Sequence, residues 1–300
     1  MDAIVVDALV KDYGKRRHPK RALDSVSLRV PAGSAFGLIG PNGAGKTTLL
    51  KTLLGVVAPS AGAVQVLGGS PADLGVRKRI GYLPERLQLP TAWTALGFLH
   101  SVARLKHASR ADAEQQLQRV GLGNEGHARI ATFSKGMRQR LGLGAALIGA
   151  PDLLVLDEPT DGIDPKGRAD VRSILAQERA RGATLFLNSH LLSETERICD
   201  QVGILVSGRL LRSGATLELC GNPSSWRVRF EAGTDTKQLQ RLGFAPTSVA
   251  QVFVCTDCDV AELNARLAKA RGQGALVSEL VPEMRDLEAV LLELMGPADA

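Results

Sequence analysis

The chain has 300 residues, 44% hydrophobic and 23% charged, which suits one large globular domain with a small second one. Its formal net charge of +6 fits an anionic ligand or membrane surface, but it is too small to indicate a nucleic-acid partner, and we expect none. Because it contains neither an apolar run of 18 residues nor a signal-peptide pattern, we expect a cytoplasmic protein that reaches a membrane only by docking to another chain.

The first 40 residues are predicted to form strands. Short apolar or alternating runs at 4–6, 26–30 and 35–39 are separated by turn residues. The basic run 15–21 is predicted to be a solvated loop, with a contact to phosphate or lipid headgroups as the alternative. A helix is expected to begin near Lys46.

Strands and helices alternate in the middle of the chain. Helical periodicity covers 91–121, and a further helix is predicted over 135–148. The apolar run 153–156 is typical of a strand buried on both faces. A helix over 165–181 and a strand over 184–187 follow. This alternation predicts an α/β fold with a largely parallel sheet and helices on its faces.

The chain changes character near residues 221–223, and a small α+β domain is predicted beyond them. Its expected elements are strands at 226–230, 249–254 and 276–280, and helices at 236–242, 260–271 and from about 287. The tail from residue 296 is expected to be loose. Cys255 and Cys258 have metal-site or redox spacing, but no further Cys or His pair completes four ligands, so incidental thiols are favoured.

Residues 40–47 (GPNGAGKT) match the phosphate-binding pattern G-x-x-x-x-G-K-[ST]. Its glycines allow backbone N–H groups to point at a polyphosphate, and the helix beginning near Lys46 adds its positive N-terminus. Lys46 can pair with the β and γ phosphates, and Thr47 offers a hydroxyl to Mg²⁺. The alternative is a glycine-rich turn with an incidental lysine. It is disfavoured because the loop lies between an apolar strand and a helix.

Two acids follow the apolar run 153–156. Asp157 can hold Mg²⁺, directly or through water, and Glu158 can act as the general base that polarises a water for attack on the γ phosphate. Adjacent acids at the end of a buried strand are costly without charge partners, which a metal and Lys46 would provide. The alternative is an ordinary solvated turn.

A third motif, residues 133–137 (FSKGM), precedes a predicted helix. Ser134 is a suitable N-cap. Its hydroxyl, the backbone of Gly136 and the helix N-terminus could form a second anion site. Alone, this motif indicates only a capped helix.

Taken together, these three motifs resemble those of an ATP-binding cassette (ABC) ATPase, in order and in spacing. The resemblance covers about residues 1–220 and implies a P-loop NTPase cassette with a mainly parallel sheet, an antiparallel β subdomain and a helical subdomain at about 85–150. It leaves 221–300 as a C-terminal accessory domain. The implied ATP-binding residues are Tyr13, Gly40, Pro41, Asn42, Gly43, Ala44, Gly45, Lys46, Thr47, Thr48, Ser134 and Gly136.

The resemblance also implies individual roles. Tyr13 occupies the position of an aromatic that stacks on adenine, with a sheet-edge tyrosine as the alternative. His190 matches the switch histidine that contacts the γ phosphate, and it joins Glu158 and Lys46 as a catalytic residue. Glu85 joins Thr47 and Asp157 as an implied Mg²⁺ ligand, and Asp164 is an implied dimer contact.

A mechanism and partners follow from the family. Two cassettes pair head to tail, each ATP lying between the phosphate loop of one and Ser134 to Met137 of the other. ATP closes the dimer, hydrolysis opens it, and the helical segment near 85–120 transmits the motion to separate membrane permease subunits. We therefore expect a homodimer on the cytoplasmic face of the cell membrane, with ATP and Mg²⁺ as cofactors.

Two departures from the family pattern indicate a branch. Glu85 replaces the usual glutamine, and the signature reads Ser-Lys-Gly-Met rather than Ser-Gly-Gly-Gln. Both resemble stand-alone cassettes that serve separate membrane subunits, mostly in the export of drugs, polysaccharides or lipids or in the maturation of exported enzymes. Residues 284–288 (MRDLE) in the accessory domain resemble the same branch.

Two other functions are considered. A cassette ATPase acting on ribosomes or DNA is disfavoured because the chain has one phosphate loop and one signature, and because the interval between them has no sustained heptads. A non-catalytic ATP-binding regulator would be expected to lack Glu158 or His190, and both are present.

Overall fold

The computed structural model describes residues 1–14, 20–220, 225–231, 233–283 and 286–295. Four sequence expectations fall wholly or partly outside these residues: the first five residues of the basic loop at 15–21, the change of character at 221–223, the first two residues of the 284–288 motif, and the tail from 296. Lys20 and Arg21, the last two residues of the predicted basic loop, instead begin the strand Lys20–Pro31. The described chain divides into two compact units, one of residues Met1–Thr216 and one of residues 217–295.

Strands and helices alternate along most of the first unit and recur in the second. The strands are β1 (Asp2–Tyr13), β2 (Lys20–Pro31), β3 (Ala35–Ile39), β4 (Ala61–Val66), β5 (Ile80–Leu83), β6 (Leu153–Asp157), β7 (Thr184–Asn188), β8 (Gln201–Val206), β9 (Arg209–Ala215), β10 (Ser225–Phe230), β11 (Ala245–Pro246), β12 (Val252–Cys255) and β13 (Val277–Glu283). The helices are α1 (Lys46–Leu53), α2 (Leu74–Lys78), α3 (Ala95–Lys106), α4 (Arg110–Arg119), α5 (Lys135–Leu147), α6 (Pro165–Ala180), α7 (Leu192–Ile198), α8 (Thr216–Cys220), α9 (Thr236–Arg241), α10 (Val260–Gly272) and α11 (Leu287–Met295).

A six-stranded sheet in the order β5-β6-β7-β3-β8-β9 forms the centre of the first unit. All neighbouring pairs are parallel except β8 and β9. Every residue of β3, β6 and β7 is buried, which agrees with their continuous apolar runs. The predicted α/β fold with a mainly parallel sheet is confirmed. Because these strands run in the same direction, the segments that follow them meet at one edge of the sheet.

An antiparallel sheet in the order β2-β1-β4 packs with α1 in the same unit. Its core includes Ile4, Leu9 and Val30, which share a hydrophobic cluster with Leu49 and Leu53 of α1. Alternation of buried and exposed residues along β2 explains why one face of this sheet covers the core. The sheet brings the end of β1 to the loop that precedes α1.

The helical pattern predicted over 91–121 forms two helices rather than one. His107 adopts a left-handed conformation (φ 58°) and ends α3, and the side chain of Ser109 caps α4. Lys106 reaches the end of α5, where its Nζ donates to the carbonyl oxygens of Ala146 and Ile148. This ammonium satisfies carbonyl groups at a helix C-terminus.

The hairpin of β8 and β9 was not predicted from the sequence. β9 (RLLRSGA) has only partly buried or exposed residues, so it lacks the apolar alternation that identifies a strand.

The second unit contains a four-stranded antiparallel sheet in the order β11-β12-β10-β13, as the α+β expectation for this part of the chain implies. Its core joins Val228, Phe230 and Phe253 to Leu263 and Leu267 of α10. The strand predicted at 249–254 is β12, which begins three residues later.

Cys255 and Cys258 are buried in the second unit, with their Sγ atoms 2.8 Å apart. Among the described residues no group of three or more His, Cys, Asp or Glu side chains could hold a metal ion. A search of the same residues finds no helix with the length and apolar character that crossing a bilayer requires.

Candidate functional site

A cleft of about 800 Å³ opens in the first unit at the edge where β3 and β7 end. It brings together residues that are far apart in the sequence. The predicted site residues that line it are Tyr13, Asn42, Gly43, Ala44, Gly45, Lys46, Thr47, Thr48, Glu85, Glu158 and His190. Asp161 and Asn188, which were not predicted as site residues, line it as well.

The loop between β3 and α1 requires glycine at two positions. Gly40 has φ 152°, and a Cβ there would lie 2.0 Å from the carbonyl oxygen of Leu205. Gly45 has φ 105°, caps α1, and would place a Cβ 2.5 Å from the carbonyl oxygen of Ala22. Any side chain at either position would clash with backbone. The loop therefore curls tightly and opens α1 at Lys46, with the helix N-terminus at the cleft.

Lys46 folds over its own loop. Its Nζ donates to the carbonyl oxygens of Gly40 (2.6 Å) and Pro41 (2.9 Å). Burial lowers the pKa of Lys46, while the negative charges of Glu158, Asp157 and Glu85 oppose that shift. A half-buried ammonium bonded to two carbonyl oxygens is well placed to exchange them for phosphate oxygens.

Asp157 is the last residue of β6 and is buried. Burial raises its pKa, the hydrogen bond donated by Asn188 Nδ2 lowers it, and the charges of Glu85 and Glu158 raise it further. Glu158, Asp157 and Glu85 all act on the pKa of Lys46, so the three carboxylates lie around this lysine. Among the described residues no three such side chains form a metal site by themselves. A hard divalent cation such as Mg²⁺ would therefore combine the oxygen atoms of Asp157, Glu85 and Thr47 with those of a bound phosphate.

Glu158 follows β6 in a left-handed backbone conformation, φ 52°. Its carboxylate accepts hydrogen bonds from Ser189 Oγ (3.0 Å) and the backbone N–H of His190 (2.8 Å), and Nδ1 of His190 lies 2.9 Å from the same oxygen. The side chain lines the cleft beside Lys46. A carboxylate held in this way can accept a proton from a water in the cleft.

Sequence reasoning identified His190 but missed Asn188 and Ser189. Both are buried, and they bond Asp157 and Glu158 respectively. The signal was present, because a polar pair follows the apolar strand β7 in the way that Asp157 and Glu158 follow β6. Applying the same rule to both strand ends would have found them.

Six of the predicted residues are not part of the cleft lining: Gly40, Pro41, Ser134, Gly136, Asp157 and Asp164. Ser134 is exposed and caps α5, accepting from the N–H of Met137 (3.2 Å), and Gly136 lies close to Gly162. Asp164 is exposed and immediately precedes α6. Gly40 and Pro41 contact the cleft residue Lys46 through their carbonyl oxygens. Ser134 and Gly136 thus form no part of their own chain's cleft.

A glycine-rich loop between a parallel strand and a helix, facing acids at the end of a neighbouring strand, defines the P-loop nucleoside triphosphatase fold. Solved structures agree with this class. A structure described as the ATP-binding subunit of an ABC transporter superposes with a TM-score of 0.67 at 30% identity, covering 72% of this chain and 91% of that one.

Sequence comparisons define the family. The family model described as ABC transporter matches residues 23–161. The Nod factor export ATP-binding protein I of Burkholderia thailandensis is 35% identical over 94% of each chain. An uncharacterised ABC transporter ATP-binding protein of Synechocystis sp. is 40% identical over 220 residues, which cover 71% of this chain and only 62% of that relative. The chain belongs to the ABC transporter family, among its ATP-binding proteins.

Proposed function

We propose that this chain is the ATP-binding and ATP-hydrolysing subunit of an ABC transporter and powers export through a separate membrane-spanning partner. The observation that carries the proposal is the carboxylate of Glu158, fixed by Ser189 and His190 in the same cleft as Lys46. The similarity to a Nod factor export protein supports the direction of transport.

ATP occupies the cleft in this proposal. Tyr13 stacks on adenine, the backbone N–H groups of residues 40–48 hold the phosphates, and Lys46 exchanges its two carbonyl partners for phosphate oxygens. Thr47, Asp157 and Glu85 would hold Mg²⁺, which when bound neutralises charge on the β and γ phosphates. The raised pKa of Asp157 agrees with this role, because an added cation would stabilise its ionised form.

Hydrolysis uses Glu158 as the general base. A water aligned with the γ phosphorus transfers a proton to the Glu158 carboxylate as its oxygen attacks, and the bond to the bridging oxygen breaks to leave ADP and phosphate. His190 contacts the γ phosphate. Since His190 and Glu158 contact each other, the position of the general base and the position of the side chain that contacts the γ phosphate are fixed together.

The site is completed by a second copy of the chain. Ser134 and Gly136 are exposed or half-buried outside their own cleft, where they are available to the ATP of a partner cassette, and Asp164 contacts that partner. We assign residues 1–220 to the cassette, with its helical subdomain at about 85–150, and 221–300 to an accessory domain. The dimer lies on the cytoplasmic face of the membrane, bound to the permease subunits.

Lys46→Ala tests the nucleotide site. We expect ATP affinity to fall at least about tenfold and hydrolysis to be lost, because Lys46 is the cation that the phosphate loop itself places beside the phosphates. Lys51→Ala is the matched control: it lies on the same helix, is exposed, and should leave both unchanged. Full ATP affinity in the Lys46→Ala protein, measured by equilibrium binding, would contradict the proposal.

A further inference from the structure

Gln139 links the signature helix to the catalytic carboxylate residue. It lies on α5, five residues after Ser134, and is only 5% exposed. Its Nε2 donates to the backbone carbonyl oxygen of Glu158 at 2.8 Å. A buried amide at this distance makes a hydrogen bond in a low-dielectric environment, where leaving the pair unmade is costly.

The backbone of Glu158 needs external support. Its left-handed conformation is unfavourable for a residue with a Cβ and persists only where the surroundings hold it. Its N–H donates to the carbonyl oxygen of Asn188 at 2.8 Å, and its carboxylate is bound by Ser189 and His190. All of these contacts come from the end of β7 and the segment after it. The contact from Gln139 comes instead from α5.

A second contact joins α5 to the segment that follows β6. Lys135, in the first turn of α5, pairs with Asp161 at 2.7 Å, and its methylene groups lie against Gly162. The N–H of Asp161 donates to the carbonyl oxygen of Glu158 (3.2 Å), the acceptor that Gln139 also uses. The Lys135–Asp161 pair is exposed and contributes little by itself. The buried bond of Gln139 is therefore the stronger link.

We propose that Gln139 is a positioning residue through which one ATP site sets the catalytic base of the other. The inference rests on the proposed head-to-tail pairing, in which Ser134 contacts the partner's ATP while Glu158 serves its own chain's ATP. From Ser134 to Gln139 the helix rises about 7.5 Å as one rigid element. When the dimer closes, the partner's ATP contacts Ser134 and displaces α5. Through its hydrogen bond, Gln139 transmits that displacement to the carbonyl of Glu158.

Ser189 and His190 hold the carboxylate of Glu158, whereas Gln139 holds its backbone carbonyl. A shift of the carbonyl therefore rotates the Glu158 backbone relative to its carboxylate and changes the orientation of the base. The base at one site then responds to ATP at the other, so the two sites hydrolyse cooperatively. Small displacements of a catalytic group are sufficient, since a misplacement of about 1 Å can cost about 100-fold in rate.

The test compares Gln139→Met with Gln116→Met in the full-length chain. Gln116 is the matched control: it is equally buried at 5%, its amide bonds Asp112 on the same helix, and its side chain has no described contact with Glu158. Steady-state ATP hydrolysis gives kcat, KM and the Hill coefficient, and equilibrium binding gives nucleotide affinity. For the wild type and Gln116→Met we expect a Hill coefficient above 1, limited to about 2 by two sites.

For Gln139→Met we expect nucleotide affinity and KM within about twofold of the wild type, kcat reduced at least about tenfold, and a Hill coefficient near 1. A merely structural role would lower the folded fraction of both variants without separating kcat from KM. Gln139→Leu, which is close in size and has no hydrogen-bond donor, should reproduce the result, and it replaces Gln139→Met if that protein does not fold.

Unchanged kcat and Hill coefficient in a folded Gln139 variant would overturn the inference, as would a wild-type Hill coefficient of 1. Either result leaves the proposed function standing, provided that ATP hydrolysis is present and is lost in Lys46→Ala. Failure of Lys46→Ala to affect binding would instead count against the proposed function itself.

Discussion

Nδ1 of His190 lies 2.9 Å from Oε1 of Glu158, and the backbone N–H of His190 donates to the same oxygen. An ionised carboxylate only accepts hydrogen bonds, so Nδ1 carries the proton in this pair. The other ring nitrogen, Nε2, is then left for a ligand in the cleft, and the imidazole side chain is 63% exposed. The two catalytic candidates thus form one hydrogen-bonded unit.

Glu158→Gln should bind ATP with an affinity within about threefold of the wild type and lose at least about 100-fold in kcat, because an amide cannot take a proton from water. Its side chain can still bond Ser189 and His190, so the local fold should persist. We further expect an ATP-bound dimer to accumulate, which size-exclusion chromatography with ATP would detect.

Glu194→Gln provides the control for this substitution. Glu194 is also a buried carboxylate, but it pairs with Arg172. Weakening that pair should lower stability while leaving turnover of the folded protein nearly unchanged. Wild-type hydrolysis by Glu158→Gln would show that another group is the base.

Ser189→Ala should reduce kcat at least about tenfold, the effect expected for one hydrogen bond to a charged group of about 1.5–3 kcal/mol, with nucleotide affinity unchanged. The reason is that Ser189 Oγ fixes the second carboxylate oxygen of Glu158 at 3.0 Å. Ser101→Ala is the control, since Ser101 Oγ bonds the carbonyl of Gly97 within α3. Equal kcat values for the two variants would argue against a role of Ser189 in orienting the base.

Lys106 should make stability depend on alkaline pH. Burial lowers its pKa to about 8 in the folded chain, against an ordinary value of 10.5. Between these values the unfolded chain binds more protons, so the free energy of unfolding rises with pH across that window. The gain should be on the order of 1–3 kcal/mol between pH 7.5 and 10.

The measurement is denaturant unfolding of the wild type and Lys106→Met at both pH values. The variant removes this titration, so its stability should gain less with pH than that of the wild type. Parallel pH dependences would show that Lys106 keeps an ordinary pKa in the folded protein.

Two buried thiols should be unreactive in the native protein. Burial raises the pKa of Cys199 and of Cys258 to about 12, in the second case with a further contribution from Cys255. At pH 8 only about one thiol in ten thousand would be ionised. Alkylation followed by peptide mass spectrometry should label both positions after unfolding in guanidinium, but barely before it. Rapid native labelling at either position would contradict their burial.

The sequence was sufficient for the parts of the fold that depend on local pattern. β3, β6 and β7 were predicted because each is an uninterrupted apolar run, and α1 because a glycine-rich loop precedes it. Parallel strands alternating with helices then determine that the segments after these strands meet at one edge. The family resemblance then predicted which residues line the cleft, from Tyr13 to His190.

Contacts between segments that are distant in the sequence could not be predicted from hydrophobic periodicity or short motifs. Nothing in the sequence around Gln139 indicates that its amide meets the carbonyl of Glu158, since such a bond depends on the packing of α5 against the end of β6. The left-handed conformation of Glu158 was equally hidden, because neither its residue type nor its neighbours require it.

The cleft is built from two sheets. Tyr13 ends a strand of the antiparallel sheet, whereas the loop after β3 and the residues after β6 and β7 belong to the parallel one. A nucleotide in the cleft would therefore brace the two sheets against each other, with its base held by one and its phosphates by the other. Inorganic triphosphate has no base to meet Tyr13, so it should link the two sheets less strongly than a nucleotide does.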